Sequence, residues 1–183
     1  AITYDDMPKT LAYKDAKLCV HLPTDYNPDK LHPLFLWYNG GDGQPGIGTA
    51  KNITGGKSFI CISFPLFKPN PPTPEQRKVD KWGGLYLVQS DAELNWTHHK
   101  RMLEDVYKLI PNIHPDQRVV GGFSNGAHII GYLVNHLKGE FFKHFRAVYI
   151  CEGGYQMSWL KGLKGKPMVI SWGEKSQVAG KLS

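Results

Sequence analysis

Val120-Gly121-Gly122-Phe123-Ser124-Asn125-Gly126-Ala127-His128 is the stretch of sequence that decides the fold. Its centre, Gly122 to Gly126, has the pattern G-x-S-x-G. A serine on a tight turn from strand to helix needs small neighbours, because the backbone there is strained and the helix packs closely on the strand. A β-branched run precedes this turn, and apolar residues at helical spacing follow it: Ile129, Ile130, Leu133, Val134 and Leu137. The stretch therefore predicts an exposed, nucleophilic Ser124 at the carboxyl end of a buried strand, with a strained or positive φ.

Length and composition limit the classes of protein to consider. The chain has 183 residues, of which 41% are hydrophobic, and this predicts one domain over residues 1–183 with a substantial core. No apolar run approaches the roughly 20 residues of a membrane-spanning helix, so we expect no membrane span. Residues 1–6 show no basic segment followed by an apolar one, so a signal peptide is absent or already removed.

Charge and cysteine content give no sign of a nucleic-acid or metal partner. The net charge is +6, but the basic residues are scattered and no nucleic-acid motif accompanies them, so we expect no nucleic-acid partner. Cys19, Cys61 and Cys151 lie in predicted buried strands without metal-ligand spacing and are interpreted as core thiols. We therefore expect no metal and no cofactor, and the oligomeric state stays open.

Alternating strands and helices predict an α/β fold with a mostly parallel sheet and helices on both faces. The predicted strands are apolar runs at Leu18–Leu22, Leu34–Tyr38, Phe59–Phe64, Arg118–Gly122, Ala147–Cys151 and Met168–Trp172. The predicted helices are Asp91–Ile110, the helix after Ser124, and weaker segments at Ile47–Ile53 and Tyr155–Leu163. Ser90 and Glu93 suggest a capping box for the first of these helices. The proline-rich and glycine-rich stretch from Pro65 to Gln89 is expected to be irregular and to cover a site.

A glycine-rich turn follows the second predicted strand and matches what Ser124 would need. The turn begins Asn39-Gly40-Gly41, and its bare backbone N–H groups could face a developing oxyanion. We predict that Gly40–Gly41 lies beside Ser124. The second oxyanion donor would be the backbone N–H of Asn125, directly after the serine.

These segments in this order resemble the α/β-hydrolase superfamily, and most of all the esterases related to polyhydroxybutyrate depolymerases and feruloyl esterases. The resemblance rests on three segments. They are the strand running into Val20-His21-Leu22-Pro23-Thr24-Asp25-Tyr26, the glycine turn, and the turn at Gly122–Gly126 around Ser124, here called the elbow. It covers nearly the whole chain, roughly from Leu18 to Ser176. It implies hydrolysis of a small or polymeric carboxylic ester through an acyl-enzyme on Ser124, and it is compatible with a secreted or periplasmic location.

Several positions depart from the family pattern. Asn39 stands where the family usually has histidine, and it is kept as a substrate-binding candidate; Asp42 stands where a third glycine is common. In the family the acid follows the strand matching Pro167–Trp172, and a histidine follows one further strand. Here Ser176 holds the position expected for the acid, and residues 177–183 contain no histidine.

The missing histidine makes the proton acceptor the open question, because a serine hydroxyl is a weak nucleophile without a base. His99 is a substitute base if its helix begins near Thr97; with a start at Ser90 it would lie on a solvated face. His128, on the elbow helix, is expected to be a core histidine. Glu152 directly follows a predicted strand and is the candidate acid, with a helix cap or a substrate-rim carboxylate as alternatives.

The sequence thus predicts a serine esterase that is incomplete or weak in this chain. Trp172, at a strand's carboxyl end, is a candidate wall of an aromatic pocket, although aromatic residues are ordinary in a core of this size. The chain is interpreted as a fragment whose last strand lies beyond Ser183, as an inactive relative that keeps the cleft, or as an enzyme with a rewired base. A catalytically inactive binding or scaffolding protein on the same fold is the alternative function.

Overall fold

A computed structural model describes residues 1–8, 11–12, 16–79, 87–153 and 161–174. Its strands are β1 Ile2–Thr3, β2 Leu11–Ala12, β3 Lys17–His21, β4 His32–Tyr38, β5 Ile60–Ser63, β6 Lys68–Pro69, β7 Ile113–Phe123, β8 Ala147–Cys151 and β9 Met168–Ser171. Its helices are α1 Gly48–Thr54, α2 Pro74–Val79, α3 Asp91–Leu109, α4 Asn125–Leu137 and α5 Phe141–His144, with a 3₁₀ turn at Lys138–Glu140. All six predicted strands are present, with ends that differ mostly by one or two residues.

Seven strands form the main sheet, in the order β1-β3-β5-β4-β7-β8-β9. The five strands from β5 to β9 along this order run parallel, whereas β1 and β3 are antiparallel additions at one edge. Strand β7 therefore lies inside the sheet, between β4 and β8. Since parallel strands present their carboxyl ends at one edge, the ends of β4, β7, β8 and β9 meet there.

The alternation of side chains along β4 divides the core between the two faces of the sheet. Leu34, Leu36 and Tyr38 point into the larger core, which α3 and α4 cover with apolar side chains. Phe35 and Trp37 point to the opposite face, where they pack with Ala50 of α1 and with Cys61. Helices thus lie on both faces, and the predicted fold class is confirmed.

The described parts of the stretch between Pro65 and Gln89, residues 65–79 and 87–89, contain regular structure that the composition does not predict. They contain β6, which pairs with β2, and α2. Helix α2 begins with a reciprocal cap: the Gln76 N–H donates to Thr73 Oγ1 at 3.2 Å, and the Thr73 N–H donates to Gln76 Oε1 at 2.8 Å. This capping box is the signature T-x-x-Q, and sequence reasoning missed it because the surrounding prolines dominated the interpretation.

The capping box expected at Ser90 and Glu93 is wrong. Helix α3 does begin at Asp91, but the Ser90 side chain makes no capping hydrogen bond and instead donates to Glu75 Oε2 at 2.8 Å. The carboxylate of Asp91 accepts the N–H of Val88 at 2.9 Å. It also accepts from the amide of Gln76, which ties α2 to α3. The first six residues of the weak helix predicted at Tyr155–Leu163 lie between the described ranges.

Candidate functional site

Ser124 lies at the junction of β7 and α4, with φ 51° and ψ −115°. Its side chain is partly exposed. The Ser124 N–H donates to the Cys151 carbonyl of β8 at 3.0 Å, and the Ser124 carbonyl accepts the N–H of Ala127 at 2.9 Å. The predicted position and positive φ of Ser124 are confirmed, whereas its side chain is partly rather than fully exposed.

The two flanking glycines are required by close backbone contact. A Cβ on Gly122 would lie 2.3 Å from the Gly126 carbonyl oxygen, and a Cβ on Gly126 would lie 2.1 Å from the Tyr38 carbonyl oxygen. Real Cβ atoms do not approach other atoms so closely, so α4 could not pack this tightly on β4 and β7 with larger residues. The glycines of the G-x-S-x-G pattern thus determine how closely the N-terminus of α4 packs on β4 and β7.

The glycine turn after β4 lies against the elbow. A Cβ on Gly40 would meet the Phe123 ring at 2.8 Å and the Ser124 Cβ at 3.1 Å. Gly41 has φ 60°, and the Gly43 N–H closes the turn on the Gly40 carbonyl at 3.1 Å. The predicted proximity of this turn to Ser124 is therefore confirmed, whereas the oxyanion role of Gly40 and Gly41 stays a prediction.

Asn125 joins the elbow to the turn through its buried side chain. Its Nδ2 donates to the Gly41 carbonyl at 2.8 Å, and its Oδ1 accepts the N–H of Leu87 at 3.4 Å. As the first residue of α4, Asn125 directs its backbone N–H out of the positive end of the helix. Sequence reasoning considered only this N–H, because nothing local to the motif indicates where the side chain reaches.

Asn39 holds the far side of the same turn. Its Oδ1 accepts the indole N–H of Trp37 at 3.0 Å, and its Nδ2 donates to the carbonyls of Gln44 and Gly46 at 2.9 and 3.1 Å. These bonds use both amide hydrogens, so in this conformation the side chain shapes the turn. Contact between Asn39 and a substrate stays a prediction.

Glu152 follows β8 in a strained backbone conformation, with φ 49°. Its N–H donates to the Ser171 carbonyl at 3.0 Å, and its Oε1 accepts the N–H of Gly173. The next residue, Gly153, packs on the elbow so closely that a Cβ there would lie 2.7 Å from the Ser124 carbonyl oxygen. Glu152 thus occupies the sheet edge beside Ser124, and its role as the acid stays a prediction.

His99 is buried, so its interpretation as a solvated side chain is wrong. Nε2 donates to the Pro65 carbonyl at 2.8 Å, which leaves Nδ1 to accept the Tyr38 hydroxyl at 3.0 Å. Burial lowers the pKa of His99 to about 3, so the ring is neutral. Position 99 lies one turn before Met102 and Leu103 on the apolar stripe of α3, so helical periodicity predicts that its side chain is buried.

His128 is buried on α4, as predicted for a core histidine. Its ring lies nearly parallel to that of Tyr132, with 6.5 Å between centroids. Burial lowers the pKa of His128 to about 4. Both histidines that sequence reasoning weighed as bases are therefore neutral groups of the interior.

An apolar cavity of about 370 Å³ opens beside the elbow, on the α1 face of the sheet. Its wall includes Phe123, which precedes Ser124, and the following side chains: Trp37, Asn39, Thr49, Ile53, Tyr149 and Cys151. A second cavity of about 390 Å³ lies farther along this face and shares Ile53 and Tyr149 with the first. Trp172 follows β9 at the same sheet edge and is 44% exposed, but it lines neither of these two cavities.

The described ranges contain neither a membrane-spanning helix nor a metal-binding cluster. None of their helices is long and apolar enough to cross a membrane. The same residues contain no group of three or more His, Cys, Asp or Glu side chains placed to hold a metal ion.

Solved structures with a similar fold include several esterases. Esterase 2 of Thermogutta terrifontis, phosphorylated by paraoxon, matches with a TM-score of 0.53 and 11% identity, over 94% of this chain and 85% of that chain. A thermostable esterase matches with a TM-score of 0.51 and 17% identity, over 84% of this chain and 41% of that chain. The apo form of the Thermogutta esterase matches with a TM-score of 0.50 and 13% identity, over 83% and 59%. The chain has the α/β-hydrolase fold.

At these identities the likeness establishes the α/β-hydrolase fold and nothing finer. The chain spans 41% of the thermostable esterase and 59% of the apo Thermogutta esterase, which is about half of their length. No protein-family model and no curated protein sequence matches the chain. The chemistry must therefore be argued from the site itself.

Proposed function

We propose that this chain is a serine hydrolase that cleaves carboxylic esters through an acyl-enzyme on Ser124. The observation that carries the proposal is the contact of Gly40 with Ser124 at a strand-to-helix elbow of positive φ. This contact brings the backbone of a glycine turn and the N-terminus of α4 to one partly exposed hydroxyl. Acyl transfer needs that combination of a nucleophile with fixed backbone donors.

In the proposed reaction, Ser124 Oγ attacks the ester carbonyl carbon and gives up its proton to a base. The carbonyl oxygen becomes an oxyanion that accepts hydrogen bonds from the N–H of Asn125 and from the N–H of Gly40 or Gly41. The tetrahedral intermediate then expels the alcohol, which takes up a proton, and leaves an ester on Ser124. Water attacks this acyl-enzyme in the same way and releases the carboxylic acid.

Proton transfer is the weak part of the proposed mechanism. The His99 ring uses both nitrogens inside the core, and His128 is buried behind the elbow. Glu152 lies beside the elbow and would orient and charge-balance a base there, but it is not itself that base. The described residues thus bring no histidine base to Ser124. We therefore propose slow turnover for this chain, because loss of general-base help typically costs about 10²–10⁴ in rate. Oxyanion donors and binding alone leave about 10³–10⁴ over water.

A second candidate function is binding of an ester or similar ligand without turnover. The observation that favours it is the burial of the two histidines that could have served as bases. An inactive relative would keep the elbow, the turn and the cavity beside Phe123 as a binding site. It would differ from the enzyme only in the fate of the Ser124 proton.

Paraoxon provides a test that separates the two candidates, because it reports the nucleophile before any ester turnover is needed. We expect a diethylphosphoryl adduct on Ser124 by mass spectrometry, formed as nitrophenolate leaves. We also expect slow hydrolysis of p-nitrophenyl butyrate, and loss of both signals in Ser124→Ala. Ser90 is also exposed, so Ser90→Ala serves as the matched control and should change neither the adduct nor the hydrolysis rate.

Adduct formation or turnover that persists in Ser124→Ala would contradict the proposal. A chain that binds butyrate esters but forms no Ser124 adduct would favour the binding function. Fast Ser124-dependent turnover would show that a base operates after all, and His99→Gln and His128→Gln would then locate it.

A further inference from the structure

The glycine turn that faces Ser124 is built from peptides that could rotate. Gly41 and Gly43 have φ of 60° and 73°, and Gly40 also lacks a Cβ. Glycine crosses between backbone conformations with little steric penalty. A turn of this composition has several orientations of its N–H groups available, so something must select one of them.

In a trans peptide the carbonyl and the following N–H point in opposite directions. Whatever holds a carbonyl of this turn therefore also aims the next N–H. The Gly43 N–H holds the Gly40 carbonyl at 3.1 Å, and this orients the N–H of Gly41. The Leu66 N–H holds the Gly43 carbonyl at 3.1 Å and anchors the end of the turn.

Asn125 holds the peptide between these two. Its Nδ2 donates to the Gly41 carbonyl at 2.8 Å, and this orients the N–H of Asp42 and limits rotation about Gly41. A further bond defines the amide orientation of Asn125, since Oδ1 accepts the N–H of Leu87. The side chain is 4% exposed, so water competes little for these bonds.

We propose that the Asn125 side chain is the positioning group of the oxyanion site. Its amide locks the glycine turn in the orientation that serves Ser124, while its own backbone N–H is the second proposed donor. One residue would thereby limit rotation of the turn at Gly41, beside the first donor, and supply the second donor at the start of α4. This inference rests on the proposed function, because the turn needs a fixed orientation only if charge develops beside Ser124.

Two substitutions separate the side chain of Asn125 from its backbone. Asn125→Ala removes the hold on Gly41 and keeps the backbone N–H. Asn125→Asp keeps the size and the acceptor for Leu87, but its carboxylate has no hydrogen to donate to the Gly41 carbonyl. Asn135→Ala is the matched control, since Asn135 lies on the same helix, is exposed, and donates to the side chain of Gln89.

Amide hydrogen exchange measures the turn without any need for catalysis. We expect exchange in the segment 40–46 to rise about tenfold in Asn125→Ala and in Asn125→Asp at neutral pH, the factor that one hydrogen bond of typical strength contributes. In acid, protonation of the introduced carboxyl should restore a donor, so the excess exchange of Asn125→Asp over Asn135→Ala should disappear. A role of Asn125 in overall stability alone would not produce this local, pH-dependent change.

The rate of Ser124 labelling by paraoxon gives the functional readout. We expect both Asn125 variants to label about tenfold more slowly than the wild type and than Asn135→Ala. Unchanged exchange in the segment 40–46, or unchanged labelling despite faster exchange, would overturn the inference. Absence of any Ser124 adduct in the wild type would instead reject the proposed function, while the exchange result would still decide whether Asn125 holds the turn.

Discussion

The two halves of the candidate site are built by different means. The elbow half, which comprises Gly40, Ser124 and Asn125, uses backbone atoms held by direct steric contact. The proton-transfer half depends on side chains, of which Glu152 lies at the sheet edge and His99 lies in the core. The comparison teaches that the backbone geometry of each turn follows from a few small residues within a short motif, such as Gly122 and Gly126 around Ser124. Proton transfer requires side chains from distant segments to meet.

The same difference appears in what holds each half in place. Ser124 is fixed by its own N–H and carbonyl, which bond Cys151 and Ala127. His99 is also fixed, but its partners are the Tyr38 hydroxyl and the Pro65 carbonyl, so both ring nitrogens are used in hydrogen bonds inside the core. Three substitutions probe this contrast, in order of decreasing expected effect.

Gly126→Ala should have the largest effect, because it disrupts a backbone contact of the elbow half. The new Cβ would lie 2.1 Å from the Tyr38 carbonyl oxygen, and neither α4 nor β4 can yield without repacking. We expect a loss of about 3 kcal/mol in the free energy of unfolding, the upper part of the usual range for overpacking. Urea denaturation measures it.

Gly139→Ala is the control for this substitution, since a Cβ there would meet nothing within 4 Å. Equal stability losses at Gly126 and Gly139 would mean that close packing of α4 on β4 does not hold the elbow.

His99→Gln tests the proton-transfer half through the pH dependence of stability. The pKa of His99 is about 3 in the folded chain because of burial, against an ordinary value of 6.5. Between these values the unfolded chain binds a proton that the folded chain does not. The contribution of His99 to stability is therefore complete above pH 6.5 and is lost as the pH falls toward 3.

Replacement of His99 by glutamine can keep bonds to Tyr38 and Pro65 without titrating. We expect the loss of stability between about pH 6.5 and pH 4.5 to shrink by on the order of 2 kcal/mol, since one proton corresponds to about 1.4 kcal/mol per pH unit. Denaturation across this range measures it, with the exposed His136→Gln as control. An unchanged slope would show that His99 reaches solvent and could still act as a base.

Ser124→Gly should have the smallest effect, and it should be a gain. A residue other than glycine at φ 51° and ψ −115° carries about 1–3 kcal/mol of strain, partly offset by the greater freedom of glycine in the unfolded chain. We expect Ser124→Gly to be about 1 kcal/mol more stable than Ser124→Ala by thermal or urea denaturation. Glu152→Gly, at φ 49°, applies the same test to the other half.

Ser90, whose φ is −65°, is the control position, and Ser90→Gly should give no gain. No difference between Ser124→Gly and Ser124→Ala would argue that the elbow stores no strain.

Much of the fold was predictable because its signals are local. Apolar runs indicated the strands, helical spacing indicated α3 and α4, and Gly122 and Gly126 indicated the elbow. The errors came from interactions between distant segments. The predicted capping box of α3 is wrong because the Ser90 hydroxyl donates to Glu75 instead. The regular structure after Pro65 depends partly on the hydrogen bond from Gln76 to Asp91.

By itself, the sequence determined that a serine would sit on a strained turn between strand and helix, and that a glycine turn would follow another strand. Spacing and residue size suffice for that, since both act over a few residues. Only the tertiary structure decided that His99 faces the core, that Asn39 and Asn125 hold the glycine turn from two sides, and that Glu152 lies beside the elbow. Where a polar side chain ends depends on which carbonyl or N–H group a distant segment presents to it, because a buried polar atom must find a partner.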